Sequence, residues 1–169
     1  MAKLKDEICT HLNASNEVNA RIWCETLIND EGLVPCYDIA CTMCDQVKGR
    51  LEYIQKFGAP PDMTQTFATI IHVAPKLNVE ELMAVRKQLI MLLGKEFELQ
   101  ADEDKSMINP MVAEKIDFRK PMDGEVIFRL RQLAKERNIQ YEPSHDSRQA
   151  LNMYLDFKGE VDPMDDGSS

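Results

Sequence analysis

The sequence predicts an all-α protein, and three observations support this. A helical pattern runs from about Glu17 to Phe57, only seven of the 169 residues are glycine, and no segment alternates apolar and polar residues as a half-buried strand does. Gaps of three and four residues put the apolar side chains of this segment on one helix face. Beyond Tyr37 that stripe consists of Cys41, Cys44, Val47, Leu51 and Ile54.

The long helix predicts a bundle built on a helical hairpin. About 40 residues at about 1.5 Å each would span roughly 60 Å, far more than a small domain needs. Pro35 lacks an amide donor, so we expect a kink or a short break near Glu31. The residues from Gly58 to Pro61 end the helix.

Shorter helices flank the long one. Ala2–Leu12 precedes a turn that begins at Asn13, and Thr64–Val73 should end at Pro75. Asn78 with Glu81 resembles a capping box for the next helix. Its apolar seam consists of Leu82, Val85, Leu89, Leu92, Leu93 and Phe97. The charged residues 101–107 should form a loop.

The last third of the chain predicts two more helices and a tail. Asn109-Pro110 should cap a helix that reaches about Phe118, and a second helix should run from Asp123 to Asn138. Residues 139–143 should leave it in an extended conformation. We therefore predict a helical core over residues 1–143 and an acidic, flexible tail over residues 144–169, in which Leu151, Tyr154 and Leu155 form one weak amphipathic patch.

Composition excludes several classes of protein. The net charge of −9 argues against nucleic-acid binding, which needs a basic surface. No run of about 18 apolar residues predicts a membrane span. The N-terminus has no apolar signal segment, and the five cysteines are an odd number, so we expect a reducing, cytoplasmic location. We find no phosphate loop, nucleophile motif or paired carboxylates, so we expect neither an enzyme nor a cofactor.

Cys41 and Cys44 lie three residues apart and invite a metal-site hypothesis. A structural zinc site needs four converging ligands, and here only a pair shares the helix face. Both cysteines belong to the apolar stripe, where cysteine behaves as a small hydrophobe. We therefore predict buried thiols and no metal site.

Several short motifs, taken in order, resemble the increased-sodium-tolerance family of ESCRT-III-like proteins. These proteins regulate the vacuolar protein sorting AAA ATPase in the multivesicular body pathway. The resemblance covers about Ile8 to Pro143. The motifs are Ala20-Arg21-Ile22 with Glu25, Leu27, Ile28 and Asp30, then the run Ile70 to Leu77, Glu81-Leu82, Lys95-Glu96-Phe97, and Leu133-Ala134-Lys135 leading into the run Ile139 to Pro143.

The resemblance implies an ESCRT-III-like core and a non-enzymatic role. Family members act in multivesicular-body sorting, endosomal recycling and cytokinetic abscission. Through the core they bind ESCRT-III subunits of the charged multivesicular body type, and through tail motifs they bind the microtubule-interacting-and-transport domain of the ATPase. A cytoplasmic protein peripherally attached to endosomes is the corresponding expectation.

The sequence departs from the family pattern at both ends. Only about a dozen residues precede the turn at Asn13, so the first hairpin helix is shortened, and Lys3 and Lys5 are its cations. At about 1 kcal/mol for each cation, direct membrane binding should be weak or absent. Family tails often carry a helical motif of acidic, leucine and basic residues, which Asp146, Leu151, Leu155 and Lys158 echo loosely.

Charge and the resemblance together suggest a partner-binding surface. Residues 115–137 contain seven basic and four acidic residues, net +3, in an otherwise acidic chain. The simpler interpretation is a solvated helix face. The alternative is a groove with an apolar floor and a charged rim that receives an amphipathic peptide. Its candidate residues are Arg129, Leu130, Leu133, Lys135, Tyr141, Leu151 and Leu155.

Alternatives remain for these residues and for the whole chain. Tyr141 should pack onto the bundle, or else form one wall of the groove. The patch around Leu151 either docks on the chain's own core or folds on contact with a partner. The rival function is a helical adaptor outside the ESCRT pathway, and a third is a thiol-based metal or redox protein.

Overall fold

A computed structural model describes residues 1–159 as a set of helices with short connections. No strand occurs among these residues, so the prediction of an all-α fold is confirmed. Two 3₁₀ turns, Pro61–Met63 and Lys105–Met107, join longer elements. The α-helices are α1 (Ala2–Asn13), α2 (Glu17–Gly49), α3 (Leu51–Phe57), α4 (Thr64–Leu77), α5 (Glu80–Leu93), α6 (Lys95–Glu103), α7 (Pro110–Lys115), α8 (Asp123–Glu136) and α9 (His145–Lys158).

The chain divides into two compact units. Unit 1 contains residues 1–31 and the described chain from Arg119 onward, and unit 2 contains Gly32–Phe118. The boundary between them lies inside α2. The helical core expected over residues 1–143 stays a prediction. None of the helices described in either unit is both long enough and apolar enough to cross a membrane.

Unit 2 is built around α4. This helix is apolar on most sides, and helices with that pattern are buried; Phe67, Ile70 and Val73 are at most 1% exposed. Its two buried polar side chains have partners. The Thr69 hydroxyl donates to the Gln65 carbonyl at 2.7 Å, and His72 Nδ1 lies 3.0 Å from the Ala101 carbonyl oxygen. His72 is therefore a buried polar residue with a hydrogen-bond partner.

Unit 1 combines elements from the two ends of the chain. Its core contains Ile8 and Leu12 from α1 and Cys24 and Leu27 from the start of α2, together with inward residues of α8 and α9. The short α1 and the beginning of α2 form a helical hairpin whose turn includes Ser15 at φ 55°.

Several helix ends differ from those expected. The chain stays helical through Pro35 and breaks at Arg50, which has φ −116° and ψ 17°, so the break expected near Glu31 is absent. Pro75 also lies inside a helix, α4, which continues to Leu77. A proline removes one hydrogen bond from a helix interior, and here the helices continue past it.

Asn78 was expected to begin a helix and instead ends one. It adopts the left-handed conformation, with φ 55° and ψ 45°, at the C-terminus of α4, a conformation that asparagine tolerates well. Val79 takes the N-cap position of α5. The predicted seam from Leu82 to Phe97 is divided at Gly94, whose φ is +93°, and α6 extends into the expected loop.

The expected flexible tail is folded where the structure describes it. Residues 145–158 form α9, in which Leu151 and Leu155 are almost completely buried in unit 1. The apolar patch was therefore stronger than its composition suggested, because unit 1 supplies a surface that covers it. Residues 160–169 of the expected tail lie outside the described residues.

Candidate partner-binding site

The centre of the candidate site is α8. Asp123 and Glu125 lie in its first turn and Lys135 in its last, an order that complements the helix dipole. One face is apolar, and Leu130 and Leu133 on that face have no exposed surface. The helix therefore contributes a stripe of apolar side chains to the core of unit 1.

The helix that covers α8 is α9. Ser144 caps its N-terminus by accepting a hydrogen bond from the Ser147 amide at 3.3 Å. The apolar face of α9 consists of Leu151, Tyr154 and Leu155, at a spacing of three and four residues that places them on one side. All three belong to the same hydrophobic cluster as Leu130 and Leu133 of α8.

Gly124 allows α8 and α9 to approach each other closely. A Cβ atom at this position would lie 2.1 Å from the Ala150 carbonyl oxygen and 2.3 Å from Tyr154 Cβ. Contacts that short do not occur between real atoms, so any side chain here would push the helices apart. The role of Gly124 cannot be predicted from the sequence, because a glycine in the first turn of a helix gives no signal of a helix crossing.

Arg129 is held by a carboxylate on α2. Its Nε donates to Glu31 Oε1 at 2.8 Å and its Nη2 donates to Glu31 Oε2 at 3.0 Å, which makes the pair bidentate. The arginine side chain is 17% exposed and the glutamate side chain 35%. The hydrogen bonds with Glu31 raise the pKa of Arg129 above its usual range. Arg129 therefore links α8 to α2 within unit 1.

Glu17, at the start of α2, is a hydrogen-bond acceptor for three residues. It accepts from the Tyr141 hydroxyl at 2.8 Å, the Ser144 amide at 3.1 Å, the Ser144 hydroxyl at 2.8 Å and the Ser147 hydroxyl at 2.6 Å. Partial burial by itself raises the pKa of Glu17, but the hydrogen bonds from Ser147, Tyr141 and Ser144 outweigh it and lower the pKa. The carboxylate thus fixes the segment that leads into α9.

Tyr141 lies between two surface pockets of unit 1. One, of about 340 Å³, is also lined by Leu12, Ser15 and Glu17; the other, of about 160 Å³, is also lined by Arg148. Burial, and then the hydrogen bond to Glu17, raise the pKa of the Tyr141 hydroxyl. Tyr141 therefore packs onto the bundle and also lines these two pockets. Its role as a wall of a partner groove stays a prediction.

Comparison with known proteins gives the family. The sequence model of the Ist1 family, described as a regulator of Vps4 activity in the MVB pathway, matches residues 1–140. The chain belongs to the Ist1 family. It is also 28% identical over 140 residues to an IST1-like protein of Dictyostelium discoideum, an alignment that covers 81% of this chain and 38% of that protein. The chain thus spans well under half the length of this relative.

This membership confirms the resemblance found from the motifs. In this Ist1-family chain, all seven candidate residues lie in unit 1. Five of them belong to or pack against one hydrophobic cluster, namely Leu130, Leu133, Leu151, Leu155 and Tyr141. Leu130, Leu133, Leu151 and Leu155 are at most 2% exposed, whereas Lys135 is exposed on the surface. The leucines that echo a tail motif for the ATPase are therefore covered by the chain's own core.

The cysteines of the Ist1-family chain occupy different environments. Cys9, Cys24 and Cys36 are buried, but Cys41 is exposed and Cys44 is half-buried. The prediction that Cys41 is a buried thiol is therefore wrong, because the helix stripe that contains it is only partly covered. Burial raises the pKa of Cys24 to about 12. Within residues 1–159, no three His, Cys, Asp or Glu side chains converge as metal ligands would.

Proposed function

We propose that this chain regulates a Vps4-type ATPase in the multivesicular body pathway by binding the C-terminal tails of ESCRT-III subunits of the charged multivesicular body type. The binding surface is the apolar stripe of α8, and the chain acts by occupancy rather than by catalysis. One observation supports this more than any other. The stripe already holds an amphipathic helix, α9, through Leu151, Tyr154 and Leu155.

A surface that holds one amphipathic helix can hold another whose anchors have the same spacing. Helix-in-groove recognition uses apolar anchors at intervals of three and four residues, as α9 does with Leu151, Tyr154 and Leu155. A partner tail with such anchors would replace α9 on α8. Because α9 belongs to the same chain, it competes at a high effective concentration. Partner binding therefore depends on how firmly α9 is held.

The charges around the stripe favour an acidic tail. Lys135 is exposed, and charges at a rim mainly raise the rate of association with a complementary partner. Arg129 is engaged by Glu31, so a partner carboxylate would have to compete for it. We therefore assign long-range attraction to Lys135 and local contact to Arg129.

The decisive experiment measures binding of fluorescently labelled tail peptides by anisotropy. Replacing both Ser144 and Ser147 with alanine removes the cap of α9 and the two hydroxyl hydrogen bonds to Glu17, without changing the surface of α8. Weakening α9 by about 1.4 kcal/mol should raise the tail affinity about tenfold. Lys135→Ala should lower the affinity for the tail peptides. Lys115→Ala, in unit 2, is its matched charge control and should leave the affinity unchanged.

Two results would contradict the proposal. If the serine variant binds tails no better than the wild-type chain, the tails do not compete with α9. If no charged multivesicular body tail binds either protein, the rival proposal of an adaptor outside the ESCRT pathway gains support. Peripheral attachment to endosomes through these partners, rather than through lipid, predicts little pelleting with anionic vesicles unless an ESCRT-III subunit is present.

A further inference from the structure

The outward face of α5 in unit 2 is apolar although it lies in solvent. Leu82 and Leu89 of this helix are buried in the core, and Arg86 is held by Ile71 O, Glu98 and Asp102. On the opposite side, Met83 is 41% exposed and Met91 73% exposed. The helix therefore has apolar residues on both faces, and the core covers one of them.

This outward face has a definite shape. A shallow depression of about 520 Å³ runs along it, lined by Glu80, Met83, Ala84, Lys87, Ile90 and Met91. Arg86 also lines it, with its guanidinium held by Glu98 and Asp102. Ala84 has a short side chain between longer ones, so it leaves a gap in the row. Methionine-rich surfaces adapt well to a packed partner. The face thus combines a protruding side chain, Met83, with an adjacent gap at Ala84.

The charges on this face are arranged symmetrically. Glu80 and Lys87 share the stripe with Met83 and Ala84, since their spacing of three and four residues brings all of them to one side. A point midway between Met83 and Ala84 lies 3.5 residues from each charge, or about 5 Å along the helix axis. A two-fold axis through this point, perpendicular to the helix, exchanges the position of Glu80 with that of Lys87.

We propose that the outward face of α5 binds a second copy of this chain as an antiparallel, two-fold helix pair. In a two-fold contact, if residue i touches residue j, then j touches i. Each Glu80 then lies level with the second copy's Lys87, and each Met83 lies level with the gap at Ala84. If positions 80 and 87 carried the same charge, the two-fold contact would instead place like charges opposite each other.

The size of the face sets the strength of the contact. The axis sets only residues 80–87 of α5 (Glu80–Leu93) opposite the same residues of the second copy, about 12 Å of helix, and Ile90 and Met91 lie beyond this contact. The contact therefore buries less than the roughly 1,200 Å² of a stable interface. The dimer is therefore weak and concentration-dependent. The inference is independent of the proposed function, because it concerns unit 2 and none of the α8 or α9 residues.

Sedimentation velocity over a concentration series tests the proposal with charge reversals. Glu80→Lys and Lys87→Glu each turn two attractive pairs into two repulsive ones, so each variant alone should dimerise about tenfold more weakly or worse. An equimolar mixture of the two variants has attractive pairs at both ends and should regain association, as should the double variant. The controls Glu114→Lys and Lys115→Glu reverse exposed charges on α7 and should behave like the wild-type chain.

Circular dichroism checks that each variant is folded. All the substituted residues are exposed, so we expect every variant to fold. A wild-type chain that stays monomeric at every concentration overturns the proposal. So does a mixture of Glu80→Lys and Lys87→Glu that associates no better than its components, because restoration in the mixture is specific to a contact in which the two charges face each other.

Discussion

The Tyr141 hydroxyl donates to Glu17 at 2.8 Å, joining the segment after α8 to the first turn of α2. These two residues are far apart in the chain and approach each other because unit 1 brings its two ends together. The same carboxylate accepts from Ser144 and Ser147. This one contact therefore influences both the stability of unit 1 and the attachment of α9.

Tyr141→Phe should lower the free energy of unfolding by about 1–2 kcal/mol, because it removes one donor from a partly buried charged acceptor. Urea unfolding measures this as a lower midpoint with an unchanged slope. Tyr53→Phe, at an exposed position, is the matched control and should leave the midpoint where it is. Equal midpoints for all three proteins would contradict the importance of the Glu17 contact.

The lowered pKa of Glu17 predicts the pH dependence of stability. In the unfolded chain the pKa is near 4.5, and in the folded chain it is lower. Its stabilising contribution is therefore fully present above pH 4.5 and is lost as the pH falls through the folded value. Glu17→Gln should be less stable at neutral pH and should lose less stability on acidification. Parallel profiles for the two proteins in this range would refute the prediction.

Arg129→Ala should destabilise the chain by about 1 kcal/mol, since it leaves the Glu31 carboxylate without its bidentate partner. Arg129→Lys keeps the charge but loses the paired geometry, so its effect should be intermediate. Lys135→Ala, on the exposed side of the same helix, should change thermal stability little. Equal melting temperatures for Arg129→Ala and Lys135→Ala would argue against the pair with Glu31.

Gly124→Ala should destabilise the chain by about 2 kcal/mol or more, because the new Cβ would overlap the Ala150 carbonyl. Hydrogen exchange should show faster exchange in α9. Gly32→Ala is the matched control. Gly32 lies inside α2 with no atom within 4 Å of an added Cβ, so alanine there should raise stability by about 0.5–1 kcal/mol. Equal melting temperatures for the two variants would show that α8 and α9 do not pack tightly against each other at Gly124.

The cysteines should differ in reactivity. Cys41 is exposed and should be alkylated first, whereas Cys24 is buried with a pKa of about 12 and donates to the Val126 carbonyl at 3.7 Å. Only the thiolate reacts, so Cys24 should react on unfolding. Mass spectrometry of tryptic peptides after timed alkylation distinguishes the sites. Early modification of Cys24 in the folded chain would contradict its burial.

Local sequence patterns were sufficient to predict much of the fold. The apolar spacing in α8 places Leu130 and Leu133 on one helix face, and both are fully buried. Asn109 was predicted as a cap, and its side chain accepts from the amides of Met111 and Val112. These features depend on neighbours three or four residues away, so the sequence contains the whole signal.

Other features depend on residues that are distant in the chain. Nothing near Gly124 indicates that α9 passes over it, and nothing near Glu17 indicates that Tyr141 and two serines will donate to it. Asn78 gives an ambiguous local signal, because asparagine suits both a helix start and a left-handed helix end. Which of these it adopts depends on the direction the chain must take after α4.

The amino-acid order by itself therefore determined the helical class, most helix positions and membership of the Ist1 family. Only the tertiary structure decided that α9 is folded against α8, that Arg129 is bound by Glu31, and that Cys41 is exposed. The physical reason is that periodicity records which side of a helix is apolar. It does not record which other helix, from the same chain or from a partner, covers that side.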